Sequence, residues 1–415
     1  MDAITLSAGT ARGDITPDPA MINWVDRKPY DGVLDQLDVR VLWLSDGGTD
    51  VAIVAWDLID TMDEAVRNVR RAIHESTGIP DKHVIIGASH THSGPRSPFT
   101  EATVPPKRAE RMREILDDPV WQAWGAKLPA TCAGLAEKAR EAAKPVSLGI
   151  GRADAGEWLF NRRPIDAEGK VVTTFNPADP KVLPDGLRFS PLDPTLTVLV
   201  FEGADGKPVA SLFSVPCHSV SIYPHHQGVS ADWPGPACEH ISNALGGETL
   251  FLQGCAGDIV PGRRGEAARR DMAKFFADRA VSAAGVRHPI PPAPLQTISS
   301  VAGLPLLPKA RADAGCDFHP VEIHVVAIGP LALVTLPGEP LNGLAREITA
   351  RSPFPHTLVV GYSNGYSVGY VGLPGEKAKG GYEAGAGRGT EEAGLIMIET
   401  AVRLLQETSQ GDSEA

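Results

Sequence analysis

Two histidines separated by one residue follow an apolar segment of this sequence. After the run HVIIG, the stretch ASHTHSGP contains His90 and His92. Side chains alternate between the two faces of an extended chain, so we expect both imidazoles on one face. Two imidazoles on one face can bind a metal ion or transfer protons. An isolated His-x-His pair is nevertheless more often an ordinary polar strand end, so the rest of the sequence must decide.

Four other apolar segments also end in polar residues. ASLFSVPCH ends at His218, TLFLQGCAGDIVP contains Asp258, LALVTLPGEP reaches Glu339, and HTLVVGYSNGYSVGYV leads into a loop rich in Tyr and Gly. Each segment alone has a structural explanation, such as a buried histidine, an acid at a helix N-terminus or packing tyrosines. Together with the histidine pair, they indicate a functional site built at several strand ends.

The segment before the histidine pair predicts the elements that position it. Residues 38–57 form two β-branched runs around a Gly-containing turn, which predicts a β-hairpin. Val66, Val69 and Ile73 then have helical spacing, and Gly78 is placed as a C-terminal cap before the strand HVIIG. The histidines therefore follow the carboxyl end of a sheet strand, where α/β proteins usually build their sites.

The remaining pattern predicts an α/β fold with mixed β-sheets flanked by helices, because hairpins and strand–helix–strand units both occur. We expect one domain over residues 1–408 and a flexible tail over 409–415. Further helices are predicted at about 106–142, 235–245, 265–284, 340–350 and 390–407. Further strands are predicted near 146–153, 194–201, 208–215, 249–253, 321–328, 331–336 and 357–361.

Composition restricts the partners and the compartment. The 415 residues are 42% hydrophobic and 22% charged, as in globular proteins, and carry a net charge of −12. This charge disfavours nucleic acid and anionic membranes, so the expected partner is a small-molecule substrate, with homo-oligomer formation left open. The N-terminus lacks a signal-peptide pattern, and no apolar run approaches about 18 residues. Five cysteines without a CxxC pair favour reduced thiols, and hence the cytoplasm.

Taken in order, these motifs resemble the neutral (non-lysosomal) ceramidases, which are zinc-dependent hydrolases of an amide bond. The resemblance covers nearly the whole chain and implies the fold of the ceramidase catalytic domain. HTHSGP, PGE and GYV in combination are far more specific than an isolated His-x-His pair. The matching segments are GTARGDITP, HTHSGP, NRRP at 161–164, the strand ending in His218, VSADWPG, GCAGDIVP, LPGEP, NGYSVGYV and GGYEAG.

The resemblance implies a Zn²⁺ site formed by His90, His218, Glu339 and Tyr370. Nitrogen and oxygen ligands in an open, roughly tetrahedral site are what a catalytic zinc requires. A tyrosine ligand is less common, but a neighbouring dication lowers the pKa of a phenol as it lowers that of water.

The resemblance also places His92, Arg162 and Tyr382 on the substrate side of the metal. It implies that zinc-bound water attacks the carbonyl carbon while His92 and Tyr382 stabilise the oxyanion and His92 protonates the leaving nitrogen. Asp232 and Asp258 either orient the imidazoles or simply form turns.

Two departures from the family pattern affect the expected mechanism and substrate. Val260 occupies the position of a serine in the ceramidase turn GD-x-S-P, and valine can be neither a nucleophile nor a hydrogen-bond donor. An acyl-serine at this position is therefore excluded. The sequence also ends shortly after its last predicted helix, where ceramidases continue into a C-terminal β-domain. We therefore expect a shorter, ceramidase-like chain with a small soluble substrate instead of ceramide.

Several arginines follow the site motifs. Arg96 comes after HTHSGP where the family has glycine, Arg163 follows Arg162, and Arg263 and Arg264 follow GDIVP. Guanidinium groups bind carboxylate or phosphate in a planar, two-point geometry, so Arg96, Arg163 and Arg263 are candidate substrate-binding residues for an anionic substrate. Surface pairing with the abundant acids explains the same pattern equally well.

The sequence thus predicts a zinc-dependent amidohydrolase. An esterase or lactonase would use the same zinc site, and a catalytically silent zinc-binding protein is the alternative that the missing serine supports. A cysteine hydrolase using Cys217 beside His218 is disfavoured, because adjacent strand residues point to opposite faces.

Overall fold

A computed structural model describes residues 4–411 of the chain. Its strands are Ser7–Asp14 (β1), Asp38–Ser45 (β2), Asp50–Trp56 (β3), Val84–Ala88 (β4), Lys144–Asp154 (β5), Leu159–Asn161 (β6), Thr195–Gly203 (β7), Pro208–Ser214 (β8), Glu248–Phe251 (β9), Ile259–Pro261 (β10), His288–Ile290 (β11), Leu295–Pro305 (β12), Phe318–Ile328 (β13), Leu331–Thr335 (β14), Glu339–Pro340 (β15), His356–Val360 (β16) and Tyr370–Val371 (β17). Its α-helices are Asp63–Thr77 (α1), Pro106–Arg111 (α2), Arg113–Leu116 (α3), Pro119–Gly125 (α4), Leu128–Glu141 (α5), Pro234–Leu245 (α6), Glu266–Gly285 (α7), Pro308–Ala314 (α8), Asn342–Arg351 (α9), Tyr382–Ala386 (α10) and Glu392–Gly411 (α11).

The largest sheet has the strand order β4-β3-β2-β1-β5-β7-β8-β9, with β11 paired to β5. It is mixed: the predicted hairpin β2–β3 is antiparallel, whereas β3–β4 and β8–β9 are parallel. A second mixed sheet has the order β12-β13-β14-β16. Two short pairs, β6–β10 and β15–β17, lie outside both sheets. The mixed-sheet prediction is therefore confirmed.

The two larger sheets pack face to face and are covered by helices on their outer sides. Their shared core includes Ile53 and Leu212 from the first sheet and Leu333 and Leu358 from the second. The other face of the first sheet packs against α1, α5, α6 and α7. Helices α9 and α11 pack on the outer face of the second sheet. Burial of one apolar face per element produces this helix–sheet–sheet–helix arrangement.

The long helix predicted over 106–142 is instead four helices, α2 to α5. Pro106, Pro119 and Pro129 each stand in the first turn of a separate helix. Proline has no N–H and fits a helix only in that turn, so each of them starts a new helix. The helices predicted around residues 240, 275, 345 and 400 are confirmed as α6, α7, α9 and α11.

Strands β1 and β12 were not predicted from the sequence. In β1, Gly9 and Gly13 weaken the apolar alternation that marks a strand. The structure gives Gly9 a packing role: a Cβ there would lie 2.1 Å from the carbonyl oxygen of Ala139 in α5. The absence of a side chain therefore allows α5 to approach the sheet closely.

The C-terminal helix extends further than expected. Residues 409–411, predicted to belong to a flexible tail, continue α11, and residues 412–415 of that predicted tail lie outside the described residues. None of the helices in the described part of the chain is both long and apolar enough to cross a membrane.

Candidate metal centre and active site

His90, His218 and Glu339 converge in the interior, each from the end of a different strand. The Oε2 atom of Glu339 is 3.4 Å from His90 Nε2 and 3.3 Å from His218 Nε2. All three side chains are buried. Tyr370 is the direct register partner of Glu339 in the parallel pair β15–β17. The four residues that the resemblance assigns to the metal are thus brought to one place.

His90 and His92 meet through a turn and not through strand alternation. Strand β4 ends at Ala88, and His90 has a left-handed backbone with φ of 63°. The Nε2 atoms of the two imidazoles are 3.2 Å apart, with the ring planes at 88°. The two rings lie side by side as expected, but the premise of an extended chain is wrong. The ligand nitrogens of His90, His92 and His218 all lie within 4.8 Å of one another.

Backbone carbonyls fix the orientation of two of the imidazoles. His90 Nδ1 is 2.6 Å from the carbonyl oxygen of Ile59, and His218 Nδ1 is 2.5 Å from that of Ala256. A ring N–H that donates to a carbonyl leaves the opposite nitrogen unprotonated. Both Nε2 atoms therefore direct a lone pair towards Glu339.

The polar atoms at the centre of this cluster fit a bound cation. His218 Nε2 and Glu339 Oε2 are buried and have no hydrogen-bond partner among the described residues. Buried polar atoms without partners are rare and call for an explanation. Two imidazole nitrogens and a carboxylate oxygen are the kinds of donor atom that a catalytic zinc site uses.

Ionisation also favours metal binding. Burial and the neighbouring Arg162 lower the pKa of His218 to about 3. Burial opposes ionisation of Glu339, but the adjacent His90 and His218 outweigh it and hold the pKa of Glu339 well below its ordinary range. Near neutral pH, His218 is therefore neutral, which is the state in which an imidazole binds a metal.

Tyr366 is a site residue that the sequence analysis missed. Its hydroxyl donates a 2.6 Å hydrogen bond to Oε1 of Glu339, which leaves Oε2 to face the histidines. Tyr366 is the first tyrosine of the NGYSVGYV motif, whereas the resemblance pointed only to the second, Tyr370.

Arg162, Tyr370 and Tyr382 form the opposite wall. The guanidinium carbon of Arg162 lies 5.6 Å from the ring centroid of Tyr370 and 5.4 Å from that of Tyr382. Glu383 holds Arg162 through a 2.6 Å ion pair, and the carbonyl oxygen of Gly257 accepts a further hydrogen bond. Burial and the charge of Glu339 outweigh the nearby Arg162 and raise the pKa of Tyr370 well above its ordinary value, so this phenol is protonated unless a metal ion binds beside it.

Asp232 and Asp258 do not contact the imidazoles that they were suggested to orient. Asp232 accepts hydrogen bonds from the backbone N–H groups of Ser221, Ile222 and Trp233. Asp258 accepts from Asn342 N–H and from the side-chain amide of Asn161, and burial raises its pKa to about 6. The acids thus shape the turns that carry the site, while carbonyl groups orient the rings.

The arginines predicted to bind substrate are separated by the fold. Arg96 lines the cavity above the histidines and pairs with Asp60 at 2.5 Å. Arg163 is buried between Glu383 and Glu376. Arg263 is exposed, 3.8 Å from Glu157, and stacks on Trp158. Of these three side chains, only that of Arg96 reaches the cavity.

Val260 and Cys217, the two residues that bear on alternative nucleophiles, are deeply buried. Val260 packs with Phe160 and Val220 in a small apolar cluster. Burial raises the pKa of the Cys217 thiol well above its ordinary value, which keeps it protonated and makes it a poor nucleophile. All five cysteines are free.

A cavity of about 540 Å³ opens above the histidine cluster. His90, His92, Glu339 and Tyr370 form its inner end, and the half-exposed Tyr382 stands at its edge. Arg108 and Arg388, which the sequence analysis did not select, line its outer part. The cavity has the size of a small-molecule site.

No family model and no curated relative matches this sequence. Among solved structures, the chain is similar to the neutral ceramidase from Pseudomonas aeruginosa, with a TM-score of 0.77 and 18% identity over 98% of this chain and 75% of that chain. A ceramidase complexed with C2 has the same TM-score and identity over 97% of this chain and 76% of its own. The fold of this chain is therefore that of the neutral ceramidases, as the resemblance in its motifs implied.

Proposed function

We propose that this protein is a zinc-dependent amidohydrolase of the cytoplasm that cleaves a C–N bond in a small, soluble, anionic substrate. The observation that carries the proposal is the buried group of His90, His218 and Glu339 at the inner end of a cavity, in which His218 Nε2 and Glu339 Oε2 face each other without a hydrogen-bond partner. These residues, with Tyr370, would hold the zinc. When bound there, zinc lowers the pKa of water and polarises a carbonyl group. The free thiols of the chain support a reducing compartment.

His92 is the residue that we assign to proton transfer. Burial and the neighbouring His90 lower its pKa well below the ordinary value, so it is neutral near pH 7. A neutral imidazole can accept the proton that the attacking water loses and then donate it to the leaving nitrogen. Trp24 packs against the ring with the centroids 5.4 Å apart and restricts its orientation.

Tyr382 is the candidate donor to the oxyanion. It stands at the edge of the cavity, is 48% exposed, and its pKa is raised by burial and by the charge of Glu339. The phenol therefore stays protonated and can donate a hydrogen bond to the oxygen of the tetrahedral intermediate. Arg162 lies behind both tyrosines and acts as a positioning residue.

Amide cleavage is preferred over ester or lactone cleavage because His92 lies beside the metal cluster. An amine is expelled only once its nitrogen is protonated, whereas an alkoxide depends less on an acid. A silent zinc-binding protein is disfavoured, because a structural metal needs neither an open cavity nor Tyr382 at its edge.

Metal analysis and a substrate panel test this proposal. We expect about one zinc per chain, its loss in His218→Ala, and hydrolysis of short N-acyl amides by the zinc-loaded protein but not after chelation. The panel contains matched esters and lactones. Full zinc occupancy of His218→Ala would refute the ligand assignment, and amide hydrolysis that survives chelation would refute the metal dependence.

A further inference from the structure

The outer part of the cavity is strongly basic, although the protein carries a net charge of −12. Two acids also line the cavity, but neither forms an ion pair with these basic residues. Asp313 pairs with Lys107 at 2.8 Å, and Glu339 belongs to the metal cluster, that is, to the proposed zinc ligands His90, His218, Glu339 and Tyr370. The positive charge is therefore concentrated where a substrate would enter. The basic lining residues are Arg27, Arg96, Arg108, Arg111, Lys309 and Arg388.

Three of these arginines surround the segment Tyr366–Ser367. The guanidinium carbons of Arg96 and Arg108 lie 5.8 Å and 5.9 Å from the ring centroid of Tyr366. Arg388 donates a 3.0 Å hydrogen bond to the carbonyl oxygen of Ser367. Since Tyr366 also donates to Glu339, a single side chain separates this basic group from the metal cluster.

The three arginines differ in how their charge is balanced. Arg96 has an ion pair with Asp60 and stacks on Trp24 at 4.7 Å. Arg108 contacts the sulfur of Met62, at 3.7 Å, and the Tyr366 ring, and no carboxylate of the described chain forms an ion pair with it or with Arg388. Arg108 and Arg388 are thus partly buried cations without an ion-pair partner, and the charges of Asp60 near Arg108 and of Asp313 near Arg388 offset theirs only from a greater distance.

The lowered pKa values of Arg108 and Arg388 reflect the electrostatic cost of this arrangement. Burial and the nearby Arg96 lower the pKa of Arg108 to about 10, and burial also lowers that of Arg388. A desolvated cation without a counter-ion is unfavourable, and an anion bound between two such groups relieves both desolvation and mutual repulsion.

We infer that Arg108 and Arg388 form an anion subsite that binds a carboxylate or phosphate of the substrate beside the metal cluster. The inference rests on the proposed function, in that the same cavity receives the scissile amide. Two guanidinium groups can hold one planar oxyanion through paired hydrogen bonds, which a neutral lipid headgroup would not satisfy. The preferred substrate class is then short N-acyl compounds with an anionic group a few bonds from the amide.

The subsite is also linked to the candidate oxyanion donor. Arg388 lies two residues after the end of helix α10, which begins with Tyr382. An anion held by Arg388 therefore fixes the segment that carries the Tyr382 hydroxyl. A neutral analogue of the substrate would therefore bind more weakly, and it would not order the segment that carries Tyr382.

Three matched N-acyl amides test the inference: one with a carboxylate, one with a phosphate, and one with the carboxylate capped as an amide. We expect the zinc-loaded wild type to turn over an anionic substrate at least tenfold more efficiently than the capped one. Comparison of the carboxylate substrate with the phosphate substrate then identifies which anionic group is preferred. Arg108→Gln and Arg388→Gln should each lower kcat/KM for the anionic substrate at least tenfold, mainly through KM, and change the capped one less than twofold. Arg403→Gln, on the surface of α11 where it pairs with Glu407, is the matched control.

Binding of inorganic phosphate and of acetate to the full-length chain, measured by calorimetry, separates this inference from the proposed function. If anion binding weakens tenfold in both variants but no amide is hydrolysed, the subsite stands and the amidohydrolase proposal fails. If amides are hydrolysed but the capped and anionic substrates react equally well, or the variants bind and react as the wild type does, the subsite is refuted.

Discussion

Glu339 and Tyr370 are directly opposite each other in the parallel pair β15–β17, a sheet of only two residues per strand. This register places a carboxylate and a phenol side by side next to His90 and His218. The pair is joined by backbone hydrogen bonds, among them Glu339 N–H to the carbonyl oxygen of Gly369 at 2.9 Å. The geometry of the cluster thus depends on the backbone on either side of Glu339.

Gly338→Ala is expected to disrupt this register. Gly338 has φ of +73°, and a Cβ there would lie 2.5 Å from the carbonyl oxygen of Gly369. The left-handed backbone and the clash together should lower the free energy of unfolding by about 1–3 kcal/mol and weaken zinc binding at least tenfold. Urea unfolding and zinc titration measure the two effects.

The matched control is Gly134→Ala in helix α5, where no atom lies within 4 Å of the added Cβ. That substitution should raise the free energy of unfolding by roughly 0.5–1 kcal/mol, since alanine is the better helix former, and leave zinc affinity unchanged. Similar losses in both variants would contradict the role given to the β15–β17 register.

Tyr366→Phe is expected to weaken zinc binding about tenfold or more, because Glu339 loses the hydrogen bond that turns Oε2 towards the histidines. Competition with a chelator measures the affinity. Tyr30→Phe is the control: the Tyr30 hydroxyl is buried without a hydrogen-bond partner, so its removal should leave zinc affinity unchanged and stability equal or higher. An unchanged affinity in Tyr366→Phe would show that Glu339 is positioned by the backbone alone.

The sequence predicted the elements with strong periodicity. The hairpin β2–β3, helix α1 with Gly78 as its left-handed cap, and strand β4 follow from β-branched runs and helical spacing. Local patterns did not predict how prolines divide residues 106–142, because a proline is compatible with the first turn of a helix and with its end. The sequence thus predicted the apolar strands and their order along the chain, but it did not predict where the helical segment 106–142 is interrupted.

The site was predictable only where a motif marked it. His90 and Glu339 stand in recognisable segments, whereas Arg108 and Arg388 are ordinary arginines that the tertiary fold brings to the same cavity. The left-handed backbone of His90 and the carbonyl partners of the imidazoles also arise from packing between distant segments. One-dimensional spacing contains no information on such contacts.

His324 should make the protein less stable in mild acid. Burial lowers the pKa of His324 to about 3, while an unfolded histidine titrates near pH 6.5. Below pH 6.5 the unfolded chain binds a proton at His324 that the folded chain does not bind. The contribution of neutral His324 to the free energy of unfolding is therefore fully present above pH 6.5 and is lost as the pH falls towards 3. Between pH 7 and pH 5, the group should contribute a loss of about 2 kcal/mol. Urea unfolding of metal-free wild type and His324→Gln measures it, and equal pH slopes would contradict the prediction.

Tyr382→Phe should retain zinc and the fold but lower kcat roughly a hundredfold, the usual consequence of losing one oxyanion donor. The hydroxyl is partly exposed at the cavity edge, so its removal leaves no void in the core. Val260→Ala provides the contrast: Val260 is buried with Phe160 and Val220, so the change should cost about 1–3 kcal/mol of stability and leave the chemical step nearly unchanged. Single-turnover rates, zinc content and urea unfolding of the two variants separate catalysis from packing. Equal rate losses in both would mean that the pocket responds to packing alone and that Tyr382 does not stabilise the oxyanion.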